Sequence, residues 1–271
     1  MLNISVVLYQ SSKSDILRII DTLENCDQLN NLFFIDNSQK ENEYLKEISK
    51  NKINYIHTGK NLGYGRGHNI ALRKSINSSV KYHLVLNPDI YFSVKILDEI
   101  IYFMNKNTDV GHLLPKAFNP SNKIEFNCRM LPTPFNLFAR SFLPNFFYKI
   151  SNDKYDLKYT GYNTIINAPQ LSGSFMFMRV SALKEVGIFD ERFFMYCEDV
   201  DLCRRIHRNF KTIFYPHVNI IHRHEKASYK SIKMKFIHII NAIKYFNKYG
   251  WFFDSERRLI NKKVLKQYNI K

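Results

Sequence analysis

Residues 1–105 alternate short apolar runs with amphipathic stretches, and this alternation constrains the fold more than any other feature of the chain. Ile4–Tyr9, Leu32–Asp36, Ile53–His57 and Tyr82–Leu86 have the length and β-branched or aromatic content of buried strands. Between them, Lys13–Cys26, Glu41–Lys50, Asn69–Ile76 and Val94–Asn105 carry apolar residues at helical spacing; Ile16, Ile19, Ile20 and Leu23 form one such stripe. Strand and helix in strict turn predict an α/β domain with a mostly parallel, Rossmann-like central sheet and flanking helices.

Regularity fails after Pro115, where Pro120, Pro132, Pro134 and Pro144 punctuate a Phe-rich segment expected to form loops and edge pieces. Its stretch Phe135–Tyr148 reads either as a buried aromatic cluster or as a surface for something apolar. Ser172–Val180 then reads as a strand, Ser181–Val186 as a short helix and Glu198–Arg208 as a clear helix. Thr212–Tyr215 and Val218–Ile221 read as strands broken by Pro216.

In an open parallel sheet, ligands bind beyond the carboxyl ends of the strands. Those ends are polar here: Tyr9-Gln10, Asp36-Asn37-Ser38, the run Asn61 to Asn69, and Asn87-Pro88-Asp89. Asp36-Asn37-Ser38 alone is a turn signal, because Asp and Asn bond their own backbone. Gly63, Gly65 and Gly67 let a backbone approach a ligand, and Arg66 offers a forked donor suited to phosphate. The competing reading of this run is a flexible loop capping a helix begun at Asn69. Asp89 projects from a strand end behind a rigid Pro88 and suits Mg²⁺ or Mn²⁺, which take oxygen ligands; otherwise it caps the next helix.

On a helical grid Met195, Asp199, Leu202 and Ile206 share one stripe, so Asp199 is expected on the core-facing side, where a carboxylate is costly unless used. Glu198 beside it suits the helix dipole. Asp201 is expected in surface ion pairs with Arg204 and Arg205. His222-Arg223-His224 ends the last strand, and a histidine there could complete a metal site with Asp89. Cys26, Cys128, Cys197 and Cys203 are too scattered for a disulfide framework.

Charge separates the tail from the rest. The formal charge is +16, and His222 to Lys271 holds 13 Lys/Arg against 3 Asp/Glu. Ile232, Phe236, Ile239, Ile240, Ile243 and Phe246 recur at helical spacing with Lys230, Lys233, Lys244 and Lys248 around them, followed by Tyr249-Gly250-Trp251-Phe252-Phe253. This basic amphipathic helix suits either an anionic membrane surface or packing on the domain with a solvated basic face. The longest uncharged stretch, Tyr159–Met178, holds Gly161, Pro169 and Gly173 and is not a spanning helix, and MLNISVVLYQ lacks a leader pattern, so a cytoplasmic protein is expected. A nucleic-acid binder fits the charge, but the aromatics are not grouped for base stacking and the strand-end carboxylates would repel phosphates, so no nucleic-acid partner is expected.

Taken in order, SVVLY, FFIDNS, NLGYGRGHN, LVLNPD, LSGSFMFMR, VGIFDERFFMYCEDVDLCRR and the Ile221-His222 pair resemble family 2 glycosyltransferases with the GT-A fold. The chain looks most like the rhamnosyltransferase-like branch of bacterial polysaccharide assembly, from Ser5 to about Ser228. The resemblance implies a catalytic domain over 1–228 and a basic helical extension over 229–271. It implies an inverting enzyme that uses a nucleotide-diphosphate sugar, dTDP-L-rhamnose first and a UDP-hexose as the alternative, with Mg²⁺ or Mn²⁺. The acceptor it implies is a glycan or a polyprenyl-diphosphate-linked saccharide, which favours peripheral contact with the inner face of the membrane. By motif, Tyr9 and Asp36 would contact the nucleoside, and Asn61, Gly63, Gly65, Arg66, Asn69 and Asn87 would line the donor. Asp89 would hold metal with His222, or with His224 as the fallback, and Asp199 would be the base with Glu198 beside it. Asn87 stands where many family 2 enzymes carry the first carboxylate of Asp-x-Asp; the Asn-Pro-Asp form is usual in the rhamnosyltransferase-like branch.

Overall fold

The computed structural model describes residues 1–142, 153–223 and 232–268. Its strands are β1 (Leu2–Leu8), β2 (Leu29–Asp36), β3 (Ile53–His57), β4 (Tyr82–Leu86), β5 (Ile90–Tyr91), β6 (Val110–Phe118), β7 (Cys128–Arg129), β8 (Ile166–Asn167), β9 (Gln170–Leu171), β10 (Phe175–Arg179) and β11 (Lys211–His222). The helices are α1 (Lys13–Leu23), α2 (Glu43–Glu47), α3 (Tyr64–Ile76), α4 (Lys95–Lys106), α5 (Pro134–Phe142), α6 (Val180–Val186), α7 (Glu198–Asn209), α8 (Ile232–Tyr249) and α9 (Ser255–Gln267). The main sheet runs β3-β2-β1-β4-β10-β6-β11-β5, with β8 also on β11. Pairs β1–β2, β2–β3, β1–β4 and β6–β11 are parallel, and β10 is antiparallel to both its neighbours. The order reverses at β1, so a crevice opens between the ends of β1 and β4.

The apolar runs form the strands as expected because they are buried on both faces, Tyr82 to Leu86 almost completely. The helical stripes cover them: Ile16, Ile19 and Leu23 of α1, and Leu97, Ile100 and Met104 of α4. The structure differs in three places. β6 is an interior strand that runs past Pro115, beyond which regularity was expected to fail, and Pro115 within it is accommodated because its partner strand slips register between Tyr215 and Asn219. That same irregularity lets β11 run unbroken through Pro216. α3 begins at Tyr64, not Asn69, so Gly65 and Gly67 lie in a helix.

A buried polar chain crosses the sheet. Asn3 donates to Ser75 Oγ (2.8 Å), Ser75 Oγ meets His83 Nδ1 (2.7 Å), and Ser5 Oγ bridges His83 Nε2 (2.8 Å) and His68 Nδ1 (2.7 Å). Burial holds His83 down to about 3. The unfolded chain takes up a proton below 6.5 that the folded chain refuses, so stability is full above 6.5 and falls as pH drops toward about 3. Thermal melting across that window should show the decline, and His83→Gln, which keeps both hydroxyl partners, should remove part of its slope.

The expected domain boundary at residues 228/229 lies outside the described residues, as do residues 143–148 of the Phe135–Tyr148 stretch. Within that stretch Phe138 stacks on Trp251 at 6.0 Å and packs against Phe246. Beyond the boundary, Ala242, Tyr245 and Phe246 of α8 are buried against Phe193, Cys197 and Val200. Ion pairs complete the docking and correct the expected surface pairs. Arg204 is 1% exposed and turns away from Asp201 to bond Asp254 through both terminal nitrogens at 2.7 Å, with Glu256 at 2.6 Å. Asp201 is fully buried among Arg205 (2.9 Å), Tyr249 (2.7 Å) and Lys248, so Lys248 is not on a solvated face. Arg204→Met should cost about 3–5 kcal/mol in denaturant unfolding, because it strands the Asp254 carboxylate in a buried site.

Candidate active site

The crevice is assembled from the ends of β4 and β10, the start of α3 and the start of α7. Leu86 pairs with Phe175, which sets the Asn87-Pro88-Asp89 turn beside Gly173-Ser174, and the Asn87 N–H donates to the Ser174 carbonyl at 2.9 Å. The Gly173 N–H donates to Asp199 Oδ2 at 3.1 Å, and its carbonyl accepts from the Tyr64 hydroxyl at 2.5 Å. A Cβ on Gly173 would stand 3.2 Å from that of Asp199, so this glycine allows the close approach. Tyr64 is pushed well above its ordinary range by burial and by the carboxyls of Glu198, Asp199 and Asp89 around it. Those three acids therefore share one neighbourhood.

Asp199 is half-buried, and Met195, expected on its stripe, lies outside the helix, which begins at Glu198 after Tyr196 and Cys197 in left-handed backbone (φ 69° and 65°). Leu202 and Ile206 are buried as the stripe required. Asp199 Oδ1 accepts the Val200 N–H at 2.8 Å in addition to the Gly173 bond. Burial raises its pKa, and the two backbone donors pull it back. Glu198 is 5% exposed, its Oε2 has no hydrogen bond among the described residues, and burial beside the Asp199 charge raises it well above a normal carboxyl. Burial and the neighbouring carboxyl thus make Glu198 harder to ionise than an ordinary carboxyl.

His222 is brought to Asp89, with Nε2 3.3 Å from Oδ2. Its Nδ1 stands 3.1 Å from Glu125 Oε2, a residue with no signal in the sequence because it lies in the irregular segment. Burial opposes charge on this ring, but the two carboxylates outweigh it and raise the imidazole to about 9. The donor set fits a hard divalent ion: a carboxylate and a ring nitrogen side by side, with Glu125 on the far nitrogen in the way carboxylates orient ligating histidines. Among the described residues no three His, Cys, Asp or Glu side chains form a complete cage, so a substrate's phosphates would supply further ligands. His224 lies outside the described residues. Asp89 does not cap α4, whose first residue is Lys95.

The other expected donor residues divide. Asn87 Oδ1 is buried without a hydrogen-bond partner among the described residues and stands at the crevice. Asp36 is buried at the end of β2, accepting from Ser38 N–H (2.9 Å) and Tyr55 OH (2.9 Å), on a cleft of about 260 Å³ that Gln10, Ser11 and Lys40 also line. Tyr9 is half-exposed just beyond β1. Asn61 Oδ1 caps the Gly63 N–H at 2.9 Å, and Gly63 has φ +87° with the Phe194 carbonyl oxygen where a Cβ would stand, so only glycine fits. Gly65 is a packing glycine rather than a loop glycine, since a Cβ there would lie 2.9 Å from Phe189 Cβ. Asn69 is a correction: fully buried, it donates to the Phe189 carbonyl (2.9 Å) and accepts the Phe189 N–H (3.1 Å), so it holds the loop before α7 and has no group to offer a donor. Arg66 is paired with Glu191 at 3.3 Å.

This constellation at a sheet switch point agrees with comparison to known proteins. The family model for glycosyl transferase family 2 matches residues 4–187. The chain belongs to that family. Among curated relatives, the low-salt glycan biosynthesis hexosyltransferase Agl10 of Haloferax volcanii is 29% identical over 64% of this chain and 52% of its own length. Rhamnosyltransferase WbbL of Escherichia coli is 26% identical over 89% of this chain and 90% of its own. The N-acetylglucosaminyl-diphospho-decaprenol L-rhamnosyltransferase of Mycobacterium tuberculosis is 26% identical over 63% and 58%. The chain thus spans little more than half the length of two of these three relatives. The crystal structure of GalNAc-T7 with UDP, GalNAc and Mn²⁺ superposes with a TM-score of 0.63 at 14% identity, over 100% of this chain and 55% of that one. The fold is GT-A.

Proposed function

We propose that this family 2 chain is an inverting glycosyltransferase that moves a sugar, L-rhamnose from dTDP-L-rhamnose in the first instance, to a hydroxyl of a glycan or polyprenyl-diphosphate-linked saccharide. The observation that carries this reading is Asp199 at the head of α7, held by the Gly173 and Val200 N–H groups beside the Asn87-Pro88-Asp89 turn, which itself bonds Ser174. Asp199 accepts the proton of the acceptor hydroxyl, and its raised pKa makes it a better base. The hydroxyl oxygen attacks the anomeric carbon on the face opposite the leaving group, and the bond from that carbon to phosphate oxygen breaks, so one displacement inverts the centre. Burial opposes ionisation of Glu198, which limits negative charge near the departing diphosphate. Asp89 and His222 would hold Mg²⁺ or Mn²⁺, whose charge offsets that of the released nucleoside diphosphate, and Glu125 would fix the ring's tautomer. Asn87 Oδ1 is an open acceptor for a sugar hydroxyl. Asp36 lines the cleft that would take the nucleoside, and Tyr9 stands next to its Leu8 and Gln10 in the chain.

A UDP-hexose is the alternative donor, supported by the hexosyltransferase relative. Thymine differs from uracil by one methyl group, worth about 1 kcal/mol if buried, so the sugar must carry most of the discrimination. A screen of nucleotide-sugars with Mn²⁺ for protection against thermal unfolding tests this, since a ligand at about a hundred times its Kd stabilises the fold by about 2.7 kcal/mol. dTDP-L-rhamnose should protect most. Protection by a UDP-hexose alone would overturn the rhamnose assignment, and protection by none would overturn the sugar-nucleotide reading. The lipid-linked acceptor implies work in the cytoplasm at the inner membrane face, as a peripheral protein with no nucleic-acid partner. Among the described residues no helix is long and apolar enough to cross a membrane.

A further inference from the structure

α8 has two faces with different work. Ile232, Phe236, Ile240 and Ile243 stand at i, i+4, i+8 and i+11 and are 71, 60, 50 and 38% exposed, an uncovered apolar stripe. Exposed Lys235 borders one edge of the stripe, exposed Lys233 and Lys244 border the other, and the helix holds no acidic residue. The opposite side is buried on the segment that leads into the catalytic helix. Asn241, 1% exposed, donates to the Met195 carbonyl at 2.6 Å, and the His238 ring meets Tyr196 edge-on at 5.3 Å. Met195 to Cys197 is where two non-glycine residues adopt left-handed backbone immediately before Glu198-Asp199. Such backbone persists only where its surroundings enforce it.

We propose that the Ile232-Phe236-Ile240-Ile243 stripe seats α8 in the headgroup region of an anionic bilayer, and that Asn241 acts from its far side as a positioning residue for Asp199. The inference rests on the lipid-linked acceptor proposed above and adds the surface and the residue that would bring membrane contact to the catalytic carboxylate. An anionic bilayer suits this face because lysines border both edges of its apolar stripe and α8 holds no acidic residue, on a chain of charge +16.

The test has two arms on the full-length protein. In the first, co-sedimentation with vesicles of equal phosphatidylglycerol and phosphatidylcholine is compared with pure phosphatidylcholine. The wild type should bind the anionic vesicles more tightly, and the triple variant Ile232→Ser, Phe236→Ser, Ile240→Ser should lose about tenfold or more in affinity with unchanged melting, because these side chains are exposed. Wild-type binding by the triple variant, or no binding by the wild type, would overturn the membrane face. In the second arm, Asn241→Leu fills the same space without the Met195 bond. It should lower kcat by about tenfold or more with both KM values unchanged, in line with a positioned general base losing its geometry. His238→Ala, which removes the ring that meets Tyr196, serves if that variant does not fold. Unchanged kcat in the variant that folds would overturn the positioning role. Vesicle binding needs no turnover, so a protein that binds anionic vesicles yet transfers no sugar would contradict the proposed function and leave the membrane face standing.

Discussion

Asp199→Asn should abolish sugar transfer while leaving donor binding intact. The amide reproduces the shape of the carboxylate and keeps an oxygen for the Gly173 or Val200 N–H, but it cannot take a proton. Loss of a general base costs on the order of 10²–10⁴ in rate. The effect should fall on kcat, with donor protection against unfolding unchanged. The same reasoning separates the two neighbouring acids: Glu198→Gln keeps the shape of a carboxyl whose ionisation burial opposes, and should cost far less. Wild-type turnover in Asp199→Asn would remove this carboxylate from the reaction.

Asp89→Ala should be comparably severe, and its effect should not add to that of chelation. Asp89 and His222 face each other at 3.3 Å, and removing the carboxylate leaves only one of this pair to hold a divalent ion. If both treatments remove one ion–diphosphate interaction, the chelated variant should be no slower than the unchelated one. Titration of Mn²⁺ into the donor-bound protein should show the same loss without turnover. Full activity in excess chelator would make the reaction metal-independent and leave charge stabilisation to side chains such as His222, whose ring two carboxylates raise to about 9.

How much of this was legible in the sequence follows from the range of the interactions. The β1–β4 strands and their polar ends were readable because burial on both faces leaves continuous apolar runs, and the chemistry sits where such runs stop. Local rules failed where a distant partner decides. Arg204 stands three residues after Asp201, yet it bonds Asp254, fifty positions away and at the head of α9. Gly65 and Gly67 read as a loop because glycine weakens helices, whereas α3 needs them to lie flat on Phe189 and Val7. Pro115 concealed β6 because a proline is tolerated in a strand interior only where the neighbouring strand slips, and that slip is written in β11. Glu125 offers no pattern at all; it reaches His222 because the chain turns back after β6 and bonds alongside its end, Phe118 bridging Ile124 and the Glu125 N–H donating to the Ala117 carbonyl.

The configuration of the product tests the account most directly. Incubating the protein with dTDP-L-rhamnose, Mn²⁺ and a lipid-linked saccharide, and following the anomeric proton of the new linkage by NMR, reads the displacement itself. One base, Asp199, acting in a single displacement predicts a product whose anomeric configuration is opposite to that of the donor, with one nucleoside diphosphate released per bond formed. Retention of configuration would require a second displacement and would contradict the role assigned to Asp199.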